Sequence, residues 1–120
     1  KAPSGMPGVE TSLTLMLDQA SRGNAELEDI VRWMSSNPAS IYKAIGKGTI
    51  KEGADADITI VDLDIKKTIR NSDTYTKCGW SAFDGAETKG WTVMTIVNGN
   101  IVFDRGEFSD EVKGKKVQFS

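Results

Sequence analysis

Four aspartates, at positions 55, 57, 62 and 64, are the residues whose type and spacing most resemble a metal-binding set, and Cys78 is the only thiol. The sequence contains no histidine. That absence removes the commonest general base and the commonest metal ligand. Serine triads, cysteine–histidine dyads and histidine-based metal centres are therefore excluded within these residues. A single cysteine makes neither a structural zinc site nor an internal disulfide, and its isolation fits a reducing, cytoplasmic setting. The aspartates read better as strand punctuation than as ligands. Asp55 and Asp57 flank a strand start and Asp62 and Asp64 close it, whereas a calcium loop needs its oxygens on one tight turn. Without a histidine to act as base, Cys78 reads as a buried or half-buried structural thiol.

The elements that must carry these groups change character partway along the chain. Residues 1–8 hold two prolines and two glycines and read as loop. Leu13, Met16, Leu17 and Ala20 recur at helical spacing, which predicts a first helix over about 11–22, stopped by Gly23. Asn24 is placed to cap a second helix, whose apolar stripe is Leu27, Ile30, Val31 and Met34. Glu26, Glu28 and Asp29 sit near its start, where the helix dipole favours them, and Glu10 has the same relation to the first helix. A third helix is expected to open at Asn37 with Pro38 at its first position, bury Ile41, Tyr42 and Ile45, and stop at Gly46. The period then becomes two. Thr49 and Ile50 suggest a short strand, and 57–64 a longer one with apolar residues on both faces, hence buried on both sides. Lys67 to Arg70 suggests an edge. Residues 71–89 read as a long irregular loop, of a kind that is often functional. Asn98-Gly99 lies between the β-rich runs 91–97 and 100–104, the strongest short signal for a type I′ hairpin. Trp33, Trp80 and Trp91 read as core or interface residues.

Bulk properties bound the function further. A length of 120 residues suffices for one domain, and 38% hydrophobic with 27% charged residues is a globular composition. A net charge of −2 gives no electrostatic case for nucleic acid or an anionic membrane. No apolar run reaches the roughly 18–20 residues of a membrane span, and residues 1–8 hold no signal-peptide core. The chain opens on Lys1, which fits a segment of something longer. Two readings of the α-then-β pattern stay open on periodicity alone: a self-sufficient small α+β domain, or strands and helices that find partners elsewhere in a parent chain.

Three stretches bear on that choice. The first is Pro3-Ser4-Gly5-Met6-Pro7-Gly8-Val9-Glu10-Thr11, directly before a predicted helix. The second, 48–62, has the form G-x-I-x-x-G-x-D-A-D-x-x-x-x-D. The third centres on Lys77-Cys78-Gly79-Trp80-Ser81-Ala82-Phe83-Asp84-Gly85, followed by Lys89-Gly90 and Val97-Asn98-Gly99. The second resembles the amidohydrolase superfamily broadly. The first and third are narrower and resemble dihydroorotase, over nearly the whole chain and in the family's order. The loop departs from the family at Ala82, where proline is usual, and at Asp84, where glutamate is common.

The resemblance implies an α+β segment of a larger fold. Residues 1–46 would be the end of a (β/α)8 barrel, with a substrate loop, the eighth helix and two further helices. Residues 47–120 would be the C-terminal strands of an attached β-sandwich. It implies a zinc-dependent parent that reversibly hydrolyses dihydroorotate to carbamoyl aspartate in pyrimidine biosynthesis. In that family zinc lowers the pKa of bound water to about 7 and an aspartate shuttles the proton. The ligands (a His-x-His pair, a carboxylated lysine, two further histidines and the aspartate) would all fall before Lys1, so the segment alone would bind no metal and be inactive. Its contribution would be recognition, with Ser4 and Gly5 as substrate contacts, where a glycine lets main chain approach ligand closely. Partners would be the small-molecule substrate, the rest of the parent chain and a second copy in a homo-oligomer, with neither nucleic acid nor membrane. A second reading is a non-catalytic dihydroorotase-like protein serving as a structural partner of aspartate transcarbamoylase. A third is a related cyclic amidase such as a hydantoinase or allantoinase, against which the Cys78-Gly79-Trp80 loop argues by similarity.

Overall fold

A computed structural model describes residues 5–120 as helices followed by one antiparallel sheet. The helix α1 spans Ser12–Ser21. Its inward face is narrow: Thr14, Leu17 and Asp18 are buried, and the chain turns away at Gly23, whose φ of 77° suits glycine. The expected cap at Asn24 does not form. Its amide donates to Gln19 Oε1 at 2.9 Å, back toward α1, and α2 begins at Leu27 after an extended Glu26.

The second and third predicted helices are one continuous helical run. α2, Leu27–Val31, passes through a π-helical turn, Arg32–Ser36, into α3, Asn37–Ile41. Asn37 is itself helical (φ −66°, ψ −50°), so no new start occurs there. Pro38 lacks an N–H and its ring crowds the carbonyl one turn back. A widened turn directly before it accommodates both without breaking the helix. The stop comes earlier than Gly46, at Lys43, which takes a left-handed φ of 53°.

The sheet has the order β1-β2-β3-β4, formed by Ile58–Thr68, Glu87–Val97, Asn100–Asp104 and Glu107–Phe108. The hairpin expected at Asn98-Gly99 is present, with both residues at positive φ (49° and 79°). Arg105 and Gly106 repeat the same left-handed pair (46° and 101°) to add β4. β1 absorbs the separately expected edge at Lys67. It pairs only with β2 among the described residues, and Ile60 and Leu63 are exposed, so the two-sided burial expected of it is not present. Thr49 and Ile50 form no strand.

α1 packs across β2. Asp62 pairs with Trp91 and Lys66 with Lys89, so three β1 residues between them oppose the single Gly90, a wide irregularity that bends β1 away. At that point a Cβ on Gly90 would stand 2.6 Å from Leu17 Cβ. The missing side chain lets helix meet strand. Thr14 Oγ1 donates to the Gly90 carbonyl at 2.6 Å, satisfying backbone left unpaired by the irregularity. The tail returns to the helical part: Phe119 bridges Ala44, and Ile45 N–H donates to the Gln118 carbonyl at 2.9 Å. Among the described residues the buried apolar set is small, namely Leu17, Ile30 and Ile69; Ile41, Tyr42 and Ile45, expected to be buried, are exposed because no element packs over α3.

Candidate functional site

The first and third distinctive sequence stretches meet in space. A cleft of ≈ 580 Å³ lies between residues 7–11 on one side and residues 74–81 on the other, with Phe108 at its end. A second cleft of ≈ 470 Å³ shares Glu10, Thr11, Thr74 and Tyr75 with it, and continues over β1 and β2 past Lys67 and Trp91.

Each wall is braced locally. On the first wall, the Thr11 and Ser12 amides both donate to the Gly8 carbonyl (3.3 and 3.0 Å), and the Ser12 hydroxyl donates to the same oxygen. The second wall is an Ω-shaped strap between β1 and β2. Its ends are pinned where Ile69 N–H donates to the Ala86 carbonyl (2.9 Å) and Gly85 N–H to the Ile69 carbonyl (2.8 Å). Within it, Asn71 N–H donates to Asp84 Oδ1 and Ser81 N–H to Asn71 Oδ1, each at 2.7 Å. Asp84, one of the departures from the dihydroorotase pattern, thus serves the strap as a hydrogen-bond acceptor. Tyr75 meets Phe108 edge-on, with ring centroids 4.6 Å apart, which seats the strap on the β3–β4 hairpin.

Glu10 joins the two walls. Its carboxylate accepts the Tyr75 amide at 3.0 Å and the Thr76 amide at 3.1 Å. Placement at the start of α1 was the sequence expectation for this residue. Glu10 does directly precede Thr11, the N-cap of α1, but Thr11 receives no side-chain cap bond and the Glu10 carboxylate is bonded to the strap. The sequence held no signal for that partner, because it lies 65 residues away. Thr11 Oγ1, buried at the junction of the two clefts, has no hydrogen-bond partner among the described residues.

The predicted site residues fall as follows. Ser4 lies outside the described residues. Gly5 is exposed, and a Cβ built on it would meet nothing within 4 Å. Cys78 is exposed, contrary to the expectation of burial, and its Sγ lies 3.0 Å from Thr76 Oγ1. The aspartates face cations and amides. Asp55 and Asp57 both bind Lys47, Asp64 binds Lys89, and Asp62 accepts the Asp64 amide. The Lys47 hydrogen bond and the Asn98 amide, at 2.7 Å, hold the Asp57 carboxyl below the usual carboxylate value despite some desolvation. Asp57 and then Asp55 raise Lys47 in turn. Among the described residues, no cluster of three or more His, Cys, Asp or Glu side chains could hold a metal ion. No helix among them is long and apolar enough to cross a membrane. The site therefore offers backbone groups, an aromatic rim and a carboxylate already committed to amides. Among the described residues the site sets no nucleophile beside a base.

Residues 6–102 match the amidohydrolase family, and the chain belongs to it. Its sequence is similar to curated dihydroorotases. It is 40% identical to that of Pyrococcus abyssi over 98% of this chain and 29% of the relative. It is 41% identical to that of Methanothermobacter thermautotrophicus over 88% of this chain and 25% of the relative. Among solved structures, the L-hydantoinase (dihydropyrimidinase) of Arthrobacter aurescens superposes with a TM-score of 0.87 at 37% identity, covering 97% of this chain and 26% of that one. A D-hydantoinase from Thermus sp. superposes with a TM-score of 0.85 at 28% identity, covering 91% of this chain and 24% of that one. The chain thus spans under a third of the length of these relatives. The dihydroorotase resemblance read from the three stretches is borne out.

Proposed function

We propose that this chain is the C-terminal part of a zinc-dependent dihydroorotase, which reversibly hydrolyses dihydroorotate to carbamoyl aspartate in the cytoplasmic synthesis of pyrimidines. The observation that carries the reading is the similarity to dihydroorotases, sustained across 98% of the chain. In this reading residues 1–46 close a (β/α)8 barrel and residues 47–120 complete a β-sandwich beside it. Ser4 and Gly5 present main chain to the cyclic amide. In this reading zinc is held by residues of the parent outside this chain. The chain alone is inactive. Exposed Trp33, Ile41, Tyr42 and Ile50 fit faces made to be covered by the rest of the parent and by a second copy.

A hydantoinase-type parent is the second reading, favoured by the hydantoinase superpositions. Both readings predict opening of a cyclic amide and differ in the ring. The experiment is zinc analysis with turnover of dihydroorotate and of hydantoin by the complete protein, beside this chain alone. Zinc with dihydroorotate turnover in the complete protein alone supports the first reading. Preference for hydantoin replaces it with the second. A folded, metal-free and inert protein rejects both, in favour of a structural role beside aspartate transcarbamoylase.

A further inference from the structure

Glu10 is, among the described residues, the one side chain that hydrogen-bonds the segment following Gly5 to the strap, and it does so with both carboxylate oxygens. Oε1 accepts the Tyr75 amide at 3.0 Å. Oε2 accepts the Thr76 amide at 3.1 Å and lies 3.2 Å from the Tyr75 amide. Charge-assisted bonds of this kind are about twice as strong as neutral ones. The carboxylate has no competing role among the described residues: it makes no ion pair and caps no helix. What it connects is stiff on either side. Residues 8–12 fold onto the Gly8 carbonyl, and the strap is cross-braced through Asn71, Ser81 and Asp84. Joining two braced pieces fixes their spacing, and so fixes how residues 7–11, which continue from Gly5, line the cleft opposite the strap.

We propose that Glu10 is a positioning residue for the cyclic-amide reaction, holding the Gly5 segment at a set distance from the strap so that its backbone meets the substrate already placed. The proposal rests on the reading of Gly5 as a substrate contact. It assigns Glu10 no contact with the reacting atoms. Its loss therefore weakens substrate capture and leaves the bond-breaking step intact.

The test uses Glu10→Ala and Glu10→Gln in the complete protein, with two readouts. Hydrogen exchange across residues 71–86 reports the staple. Alanine is expected to accelerate exchange at Tyr75 and Thr76 by roughly tenfold or more, the equivalent of one charged hydrogen bond. Glutamine keeps one acceptor oxygen and is expected to protect Tyr75 while losing Thr76. Steady-state kinetics report positioning. KM is expected to rise about tenfold in the alanine variant with kcat within about twofold, and glutamine to recover part of the loss. Unchanged exchange overturns the staple, and faster exchange with unchanged KM overturns the positioning role. If the wild-type protein opens hydantoin instead of dihydroorotate, the substrate assignment fails while the same KM comparison, made on hydantoin, still decides the role of Glu10. A protein inert to both rings overturns the substrate role together with the reading beneath it, and the exchange data then judge the staple separately.

Discussion

Asp18 on α1 accepts the Lys89 amide of β2 at 3.0 Å, joining residues 71 positions apart, while its other oxygen binds Arg22 Nε at 2.7 Å. The side chain is only 10% exposed. It therefore satisfies a strand amide beside the Gly90 irregularity, where the β1–β2 register slips between Asp62 and Lys66. Asp18→Ala would leave that amide and the Arg22 charge without their partner. The expected cost is about 2 kcal/mol in chemical denaturation. Asp18→Asn keeps one acceptor oxygen and should cost less. Equal losses in the two variants would show that the carboxamide cannot stand in for the carboxylate.

Acid should loosen the same contact. Burial raises the Asp18 carboxyl, but the Arg22 hydrogen bond, the Lys89 amide and the Arg22 charge together outweigh it and leave it below its usual 3.8. Asp57 is also held low, by Lys47 and the Asn98 amide. A carboxylate lowered on folding stabilises fully above its unfolded value. That contribution is lost as pH falls through the lower folded value. Melting temperature is therefore expected to drop below about pH 4, where unfolded aspartates begin to take up protons. Asp18→Asn and Asp57→Asn should each flatten the drop. A melting curve with the same pH slope in the double variant would reject this account. Lys47, raised above 10.5, keeps its part of the pair until pH climbs past its raised value.

Gly90→Ala tests the helix–strand approach. At φ 99° with Leu17 Cβ 2.6 Å from the added carbon, the variant must accept both a strained backbone and a displaced α1. A loss on the order of 3 kcal/mol is expected from thermal or urea unfolding. Gly114→Ala meets nothing within 4 Å and has no left-handed φ, so it should be close to neutral. Similar stability for the two variants would mean that α1 does not rest on Gly90.

The exposed apolar residues should make this chain associate in isolation. Ile41 is 74% exposed, Tyr42 70% and Ile50 84%. Sedimentation velocity is expected to show dimers or larger species, and Ile41→Ser with Tyr42→Ser to shift them toward monomer. A single monomeric boundary for the unmodified chain at every concentration would count against a covered face.

Local chemistry was readable wherever neighbours in sequence decide the outcome. The existence of α1, the stop at Gly23 and the Asn98-Gly99 hairpin follow from side-chain period and from which residues tolerate positive φ, although of the expected α1 stripe only Leu17 is buried, beside Thr14 and Asp18. The Arg105-Gly106 turn escaped notice because arginine carries no turn signature. The continuous helix through Pro38 escaped it because proline reads as a start, and only a π-helical turn reconciles it with an interior position. For β1, apolar residues on both faces reveal a strand that favours burial. They do not say which other strands are present to cover it.

The sequence by itself determined the amidohydrolase pattern, the absence of histidine chemistry and the helix-to-strand change of period, since each is a property of residue type and short spacing. Only the tertiary structure decided that Glu10 serves Tyr75 and Thr76, that Asp18 serves Lys89, and that Gly90 yields its space to Leu17. Those partners are separated by 65 residues or more, as the Glu10 and Asp18 bonds are. A hydrogen bond or a contact at that separation depends on where the fold carries the chain, a quantity to which local propensity is blind.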